Sequence, residues 1–297
     1  MSTPALSVPT VAPDMTASES QTRVGAAIRW AASNAALVLL GLIAALAIGW
    51  PLVAPFNPLD VHAGTPLQPP SGAHLLGTDD AGRDVLSRVL AGTRISFTVG
   101  IASATLAVVI GGLLGVTSAM APRWVGEVIM RVLDLMLAFP AILLAVVLAT
   151  AVGTGMLTTI IVIGVVYTPV MARFVRGLTL TELAEDYILA ARVLGTSRRR
   201  LVGYHLGVNL AVPVLVFATL LAGSAVMVEA ALSFIGIGIT PPTPSWGNII
   251  NDGKAFLLSG QWWMSTAGGL AIFVTVLTLN GAAHTLDRRL EAEVRED

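Results

Sequence analysis

Leu135–Ala172 reads LMLAFPAILLAVVLATAVGTGMLTTIIVIGVVYTPVMA, and no charge interrupts it between Asp134 and Arg173. Its apolar residues run on without alternating, which points to helices rather than the strands of a membrane barrel. The stretch is nearly twice the roughly 20 residues that one membrane-crossing helix needs. Val152-Gly153-Thr154-Gly155 is the natural break within it. The sequence therefore predicts two membrane helices joined by a very short turn.

Other charge-free windows extend the pattern. One follows Arg29 and predicts a first span over Ala31–Val53, closed by Pro51 and Pro55; others predict spans over Ile95–Pro122, Leu210–Leu232 and Met264–Leu286. The total is six. Composition agrees, because 55% of the 297 residues are hydrophobic and only 12% are charged, against about 25% charged in soluble domains. The fold class is an all-α polytopic membrane protein with six transmembrane helices. A net charge of -1 gives no sign of nucleic-acid binding, and the absence of cysteine excludes disulfides, cysteine-bound zinc and thiol nucleophiles. The chain divides into a disordered N-terminal tail (1–30), a first helix with an outer amphipathic segment (31–94), a five-helix core (95–286) and a C-terminal tail (287–297).

Basic residues set the orientation. With the N-terminus in the cytoplasm, thirteen of the 17 basic residues fall inside, and only Arg83, Arg88, Arg94 and Lys254 fall outside. Both termini and the loop 179–209 are then cytoplasmic, while 236–263 is an outer loop. Asp79–Ala91 follows Thr78, a candidate N-cap, and sets Asp84 and Arg88 four residues apart opposite an apolar face. It reads as a short helix on the outer membrane surface or as a plain connector. The outer loop carries Pro241-Pro242-Thr243-Pro244 and the tryptophans 246, 262 and 263. It reads as a lid over a pathway, Trp246 included, or as an interfacial anchor.

Chemistry-bearing patterns are scarce. The four histidines have no metal-ligand spacing, and no phosphate loop or nucleophile elbow occurs. The chain reads as non-catalytic, with no metal site. Asp134 and Glu229 lie at or within spans, where a carboxylate is costly and faces a bundle interior or a watery path. Each is either a gating residue or a structural partner, with Arg131 the candidate partner of Asp134. Asn280 joins helices or touches solute. Gly111 and Gly115 form a GxxxG pair for close helix contact within the subunit or between subunits.

Thr179–Asn209 (TLTELAEDYILAARVLGTSRRRLVGYHLGVN) is the charged stretch between long apolar runs. Thr179 with Glu182 fits a capping box and predicts a helix over Leu180–Leu194, closed by Gly195. Ser197 is placed to cap a second helix running into the fifth span. The small residues Ala190 and Ala191 leave a shallow helix surface ringed by charge, suited to a groove on a soluble partner or simply solvated.

This stretch resembles the EAA loop of ABC-importer permeases, on Ala190, Ala191 and Gly195. Glu185-Asp186-Tyr187, Arg192, Leu194, Ser197, Arg200 and His205 further resemble the dipeptide/oligopeptide/nickel branch. So do Leu76-Gly77-Thr78-Asp79, Gly82-Arg83-Asp84, Gly92-x-Arg94-x-Ser96, Leu137-Ala138-Phe139-Pro140, Glu229-Ala230 and Pro241–Gly247. Within the branch the likeness is to the C-type permease subunit. Departures are Leu189 in place of a glutamate, Gly207-Val208 in place of Leu-Pro, and an altered Asn280–Thr285 ending.

The resemblance implies a type I importer permease fold in a bacterial cytoplasmic membrane. It implies three kinds of partner besides the bilayer: a B-type permease, two ATPase domains and an extracytoplasmic solute-binding protein. ATP and magnesium would sit on the ATPases, with no cofactor on this chain, and the loop 179–209 would couple them to a path for peptides or related solutes. A gradient-driven transporter or channel is the alternative, and it would show inverted repeats and several midplane charges.

Overall fold

The computed structural model describes residues 15–197 and 200–296, with the side chains of 15–33, 189, 192, 202, 205 and 289–296 left aside. Every named element among them is helical: α1 Met15–Val53, α2 Val85–Met120, α3 Arg123–Leu137, α4 Ala141–Val152, α5 Met156–Glu182, α6 Asp186–Val193, α7 Gly207–Ile235, α8 Trp246–Lys254 and α9 Trp263–Glu296. Short π and 3-10 turns cover Leu201–Leu206 and Leu257–Ser259. Five helices are long and apolar enough to cross a membrane, and α3 with α4, bent by 91°, makes a sixth span if taken as one broken helix.

Three expectations are corrected. α1 begins at Met15, inside the stretch expected to be irregular to residue 30, although only Asn34–Val53 is apolar enough to span. The third span is not a helix starting at Leu135, because α3 starts at Arg123 and breaks at Ala138-Phe139-Pro140. Proline cannot continue the i→i−4 ladder, and its ring disfavours a helical residue before it. The outer segment before the second span is not a separate surface helix. Asp84, not Thr78, is the N-cap, accepting from the Ser87 amide at 2.8 Å and from the Ser87 hydroxyl at 2.7 Å. From there α2 runs without a break into the bilayer.

The short turn between α4 and α5 is as expected, with Gly153 and Gly155 at φ +112° and +126°, values that glycine alone adopts without strain. The charges that delimit the apolar stretch meet in space, Arg173 Nη2 lying 2.5 Å from Asp134 Oδ1. The two ends of Leu135–Ala172 therefore lie side by side, as a helix–turn–helix excursion requires. Asp134 thus pairs with Arg173 and not with Arg131. Both side chains are about half exposed, so the pair contributes little, roughly 0–1 kcal/mol.

In lipid, apolar burial does not drive helices together; close van der Waals contact does. α2 provides it. A Cβ on Gly111 would lie 2.8 Å from the Thr168 carbonyl oxygen, and one on Gly115 would lie 2.6 Å from that of Ala172. The GxxxG pair is thus spent inside the subunit, on the α2–α5 contact. Gly100 meets Val226 on α7 in the same way, while Gly112 faces open space. Two apolar clusters fill the bundle. One joins Val99, Ala145, Ile163 and Leu232, and the other joins Met171, Val226, Trp246 and Leu279. Asn280 sits against α7, with Gly223 opposite its amide, the position of a group that joins two helices.

Candidate functional site

Two polar regions lie at opposite ends of the bundle. The first is at the loop 179–209. α5 continues to Glu182, so Thr179 is mid-helix and caps nothing; its hydroxyl donates to the Val175 carbonyl at 2.7 Å. The predicted Leu180–Leu194 helix is therefore split. Leu183–Glu185 forms a turn, and α6 starts afresh at Asp186, whose carboxylate favours a helix N-terminus. Gly195 closes α6 at φ +77°, with the Thr196 amide donating to the Ala191 carbonyl at 3.0 Å, the αL helix end expected. Ser197 Oγ accepts from the Arg200 amide at 3.4 Å, at the start of the turn that leads into α7.

α6 is pinned by Ile188, which is fully buried, while Glu185, Asp186, Tyr187, Ala190, Val193, Leu194, Gly195 and Arg200 are exposed. Ala191 is half-buried. The side chains of Leu189, Arg192 and His205 and all of Arg198 and Arg199 lie outside the described residues. The outward face of α6 is thus small, apolar and edged by Glu185 and Asp186, the shape of a helix that seats in a groove.

Sequence reading missed the knot at the base of α6. Tyr187 OH donates to Glu182 Oε1, and Asn209 Nδ2 donates to the same oxygen at 2.6 Å. Asn209 Nδ2 is also 2.5 Å from the Tyr187 oxygen. One residue each from α5, α6 and α7 is tied to the other two. Although the residue as a whole is exposed, loss of water around its phenol first, then the donated bond to Glu182 and the repulsion of its charge, push the Tyr187 phenol up to about 12. The sign follows from proton linkage. A raised folded-state pKa stabilises the fold below the ordinary tyrosine value of about 10, and that contribution is lost as pH rises from there through about 12. The difference in ultraviolet absorbance titration between wild type and Tyr187→Phe is expected to show a midpoint near 12. A midpoint near 10 would mean that the knot does not form.

The second region is outside the bundle's other end. Segment 54–84 is an ordered cap and not a loose connector. Its amides and carbonyls cross-link at Leu67–Asp79, Thr78–Gln68 and Gly64–Gly82, at 2.9–3.0 Å. Arg88, 2% exposed, is its anchor. Arg88 Nη2 is 2.9 Å from Asp252 Oδ2 on α8, and its Nη1 is 3.0 Å from Asp79 Oδ2. The Nη1 contact is close but not aimed as a hydrogen bond. Arg83 Nε donates to the same Asp79 oxygen at 2.6 Å. Asp84 and Arg88, four residues apart, do not pair with each other; Asp84 holds His74 Nδ1 at 2.9 Å instead. Burial pushes the Asp252 carboxyl up, and Arg88 and Arg83 pull it back down.

Below this cap α8 lies on α7. Ser245 caps α8, accepting from the Asn248 amide at 3.3 Å. Trp246 is 1% exposed. Its indole donates to the Val89 carbonyl at 3.2 Å, so it is core and not an interfacial anchor. Trp263 is buried too, donating to the Thr78 carbonyl at 3.1 Å; among the three tryptophans only Trp262 is exposed. Glu229 is fully buried beneath α8. Its Oε1 accepts from Ser233 Oγ at 2.7 Å, while Oε2 has no hydrogen-bond partner among the described residues. The carboxyl is enclosed by this chain. It sits where α2, α7 and α8 converge.

An ordered cap at one end of the bundle, a broken third span and a short exposed helix at the other end are what the chain presents. Residues 107–292 match the family described as the inner membrane component of binding-protein-dependent transport systems. The chain belongs to that family. The permease is similar to the di/tripeptide transport system permease protein DppC of Pseudomonas aeruginosa strain UCBPP-PA14, at 37% identity covering 86% of this chain and 87% of that protein. It is similar to the dipeptide transport system permease protein DppC of Alkalihalophilus pseudofirmus, at 34% identity covering 86% and 85%. It is also similar to the probable D,D-dipeptide transport system permease protein DdpC of Escherichia coli K12, at 35% identity covering 88% and 90%. The type I importer fold follows from the family and the helical bundle together. This permease is a multi-pass membrane protein, and the gradient-driven alternative gives way to binding-protein-dependent transport.

Proposed function

We propose that the permease forms half of the translocation path of an ATP-driven importer for peptides or peptide-like solutes. The solute class is carried over from the relatives named for peptide transport, which align along most of the chain. A second, B-type permease supplies the other half of the path, a binding protein delivers solute to the 54–84 and α8 side, and two ATPase domains bind ATP and magnesium on the α6 side. Both termini then face the cytoplasm, in keeping with the bias of basic residues.

The observation that carries the mechanism is α6 itself, a short helix with an exposed apolar face, set on a turn and closed by Gly195 in the left-handed region. Groove closure on the ATPase side presses α6, and the Glu182–Tyr187–Asn209 knot passes that displacement to α5 and α7. The path then switches between two states whose balance the ATPases bias.

The test is reconstitution with the neighbouring ATPase, permease and binding-protein subunits. Uptake of labelled di- and tripeptides is expected to depend on ATP. Gly195→Val imposes a left-handed conformation on a β-branched residue, costing about 1–2 kcal/mol locally. It is expected to cut uptake severalfold while membrane insertion and ATP hydrolysis persist. Peptide uptake independent of ATP, or unchanged in Gly195→Val, would sink the reading.

A further inference from the structure

An apolar groove of about 460 Å³ runs between α1 and α2, on the side of the bundle nearest segment 54–84. Ala44, Ala47 and Ile48 of α1 line it, facing Phe97 and Ile101 of α2, and Arg94 stands at its rim. Arg94 is exposed. Unlike Arg83 and Arg88, which are neutralised by Asp79 and Asp252, it makes no hydrogen bond or ion pair among the described residues. It stands nine residues past the start of α2, immediately before the apolar run that opens at Ile95.

A guanidinium at the mouth of an apolar run sits near headgroup depth, where it finds an anion or stays in the interface. Something must meet the charge, and the surroundings say what. α1 is the most peripheral of the five long spans, its apolar window only 11% buried against 33–56% for the others. The groove therefore opens away from the rest of this chain. Its walls are apolar and it holds a single cation, so it matches a molecule with one anionic head and a long apolar tail.

We propose that this groove binds an anionic phospholipid, with its phosphate on Arg94 and one acyl chain between α1 and α2. The lipid belongs to the leaflet on the side of segment 54–84, and it mortars a helix that otherwise touches the bundle along one edge. Arginine suits the role better than lysine because its fork donates to two phosphate oxygens at once. The site is independent of which solute is carried.

The test uses the full chain extracted in mild detergent with its accompanying subunits, titrated with phosphatidylglycerol and followed by native mass spectrometry. One phosphatidylglycerol per copy of this chain is expected to survive delipidation, and phosphatidylcholine of the same chain length is expected to be lost. Arg94→Gln is expected to weaken retention about fivefold, the effect of one cation near an anionic surface. Arg94 is exposed, so that change leaves the fold intact. Ala44→Phe, which fills the groove and keeps the charge, is expected to weaken retention as well. Arg94→Lys retains most of it. Equal retention in wild type and Arg94→Gln overturns the proposal, as does equal retention of phosphatidylcholine. Displacement of the lipid by soluble glycerol phosphate also overturns it, because the site would then read a free anion. So does loss of a co-purifying protein in Arg94→Gln with lipid unchanged, because the charge would then face a partner's carboxylate.

Discussion

Arg88→Leu is expected to cost about 3–5 kcal/mol and to remove most of the assembled protein from the membrane. The reason is asymmetry. Arg88 is 2% exposed and holds Asp79 and Asp252 from its two terminal nitrogens. Leucine fills similar space but leaves the buried Asp79 carboxylate and the partly buried Asp252 carboxylate facing each other with only Arg83 between them. Unlike a surface group, Asp79 cannot be rehydrated without opening the cap. Thermal unfolding in detergent checks the result, with a fall in midpoint on the order of 10 °C. The triple change to Leu at 88 with Asp79→Asn and Asp252→Asn is expected to recover part of the loss, since it removes the stranded charges as well. A midpoint within a degree or two of wild type for Arg88→Leu would mean that the cluster is solvated and not buried.

The second large effect is at the α2–α5 contact. Gly115→Val places a branched side chain where a single Cβ already falls 2.6 Å from the Ala172 carbonyl oxygen and 3.0 Å from the Arg176 amide. Those neighbours are backbone and cannot rotate away. Overfilling of this kind costs about 1–3 kcal/mol in ordinary cores, and the upper end applies here because two helix axes must separate. Gly112→Val, one residue from Gly111 but facing open space, is the control and is expected to be neutral. Parallel melting curves of the two variants decide the matter; equal loss would mean that α2 is rotated from the position described.

Much of this architecture is written in the order of residues. Charge-free runs located the spans because a charge in hydrocarbon is expensive wherever it falls, and the glycine pair at 153 and 155 marked a turn because few other residues turn so sharply. Gly195 was legible for the same reason. What failed were readings that depend on competition between equivalent partners. Thr179 satisfies the pattern of an N-cap, but its hydroxyl is as well served by the Val175 carbonyl inside a continuing helix. Thr78 lost the start of α2 to Asp84, whose carboxylate takes both the amide and the hydroxyl of Ser87. Asp134 had Arg131 near it in sequence and chose Arg173, far away in sequence and adjacent in space. A signal was present there: two charges bracketing one apolar hairpin must emerge on the same side. Asn209 carried no such signal, because its value comes from where three helix ends converge.

Pro169 sits inside α5 and deprives it of one rung of its ladder, making that point the easiest place for the helix to buckle. Gly111 of α2 is pressed there, against the Thr168 carbonyl and the Met171 side chain. The soft spot is splinted. At 27 residues α5 is about 40 Å long, so a tilt of about 5° begun at Glu182 sweeps its far end by about 3.5 Å. A buckling helix would absorb that displacement near Pro169, whereas a splinted one behaves as a boom and delivers it to the far side of the bilayer.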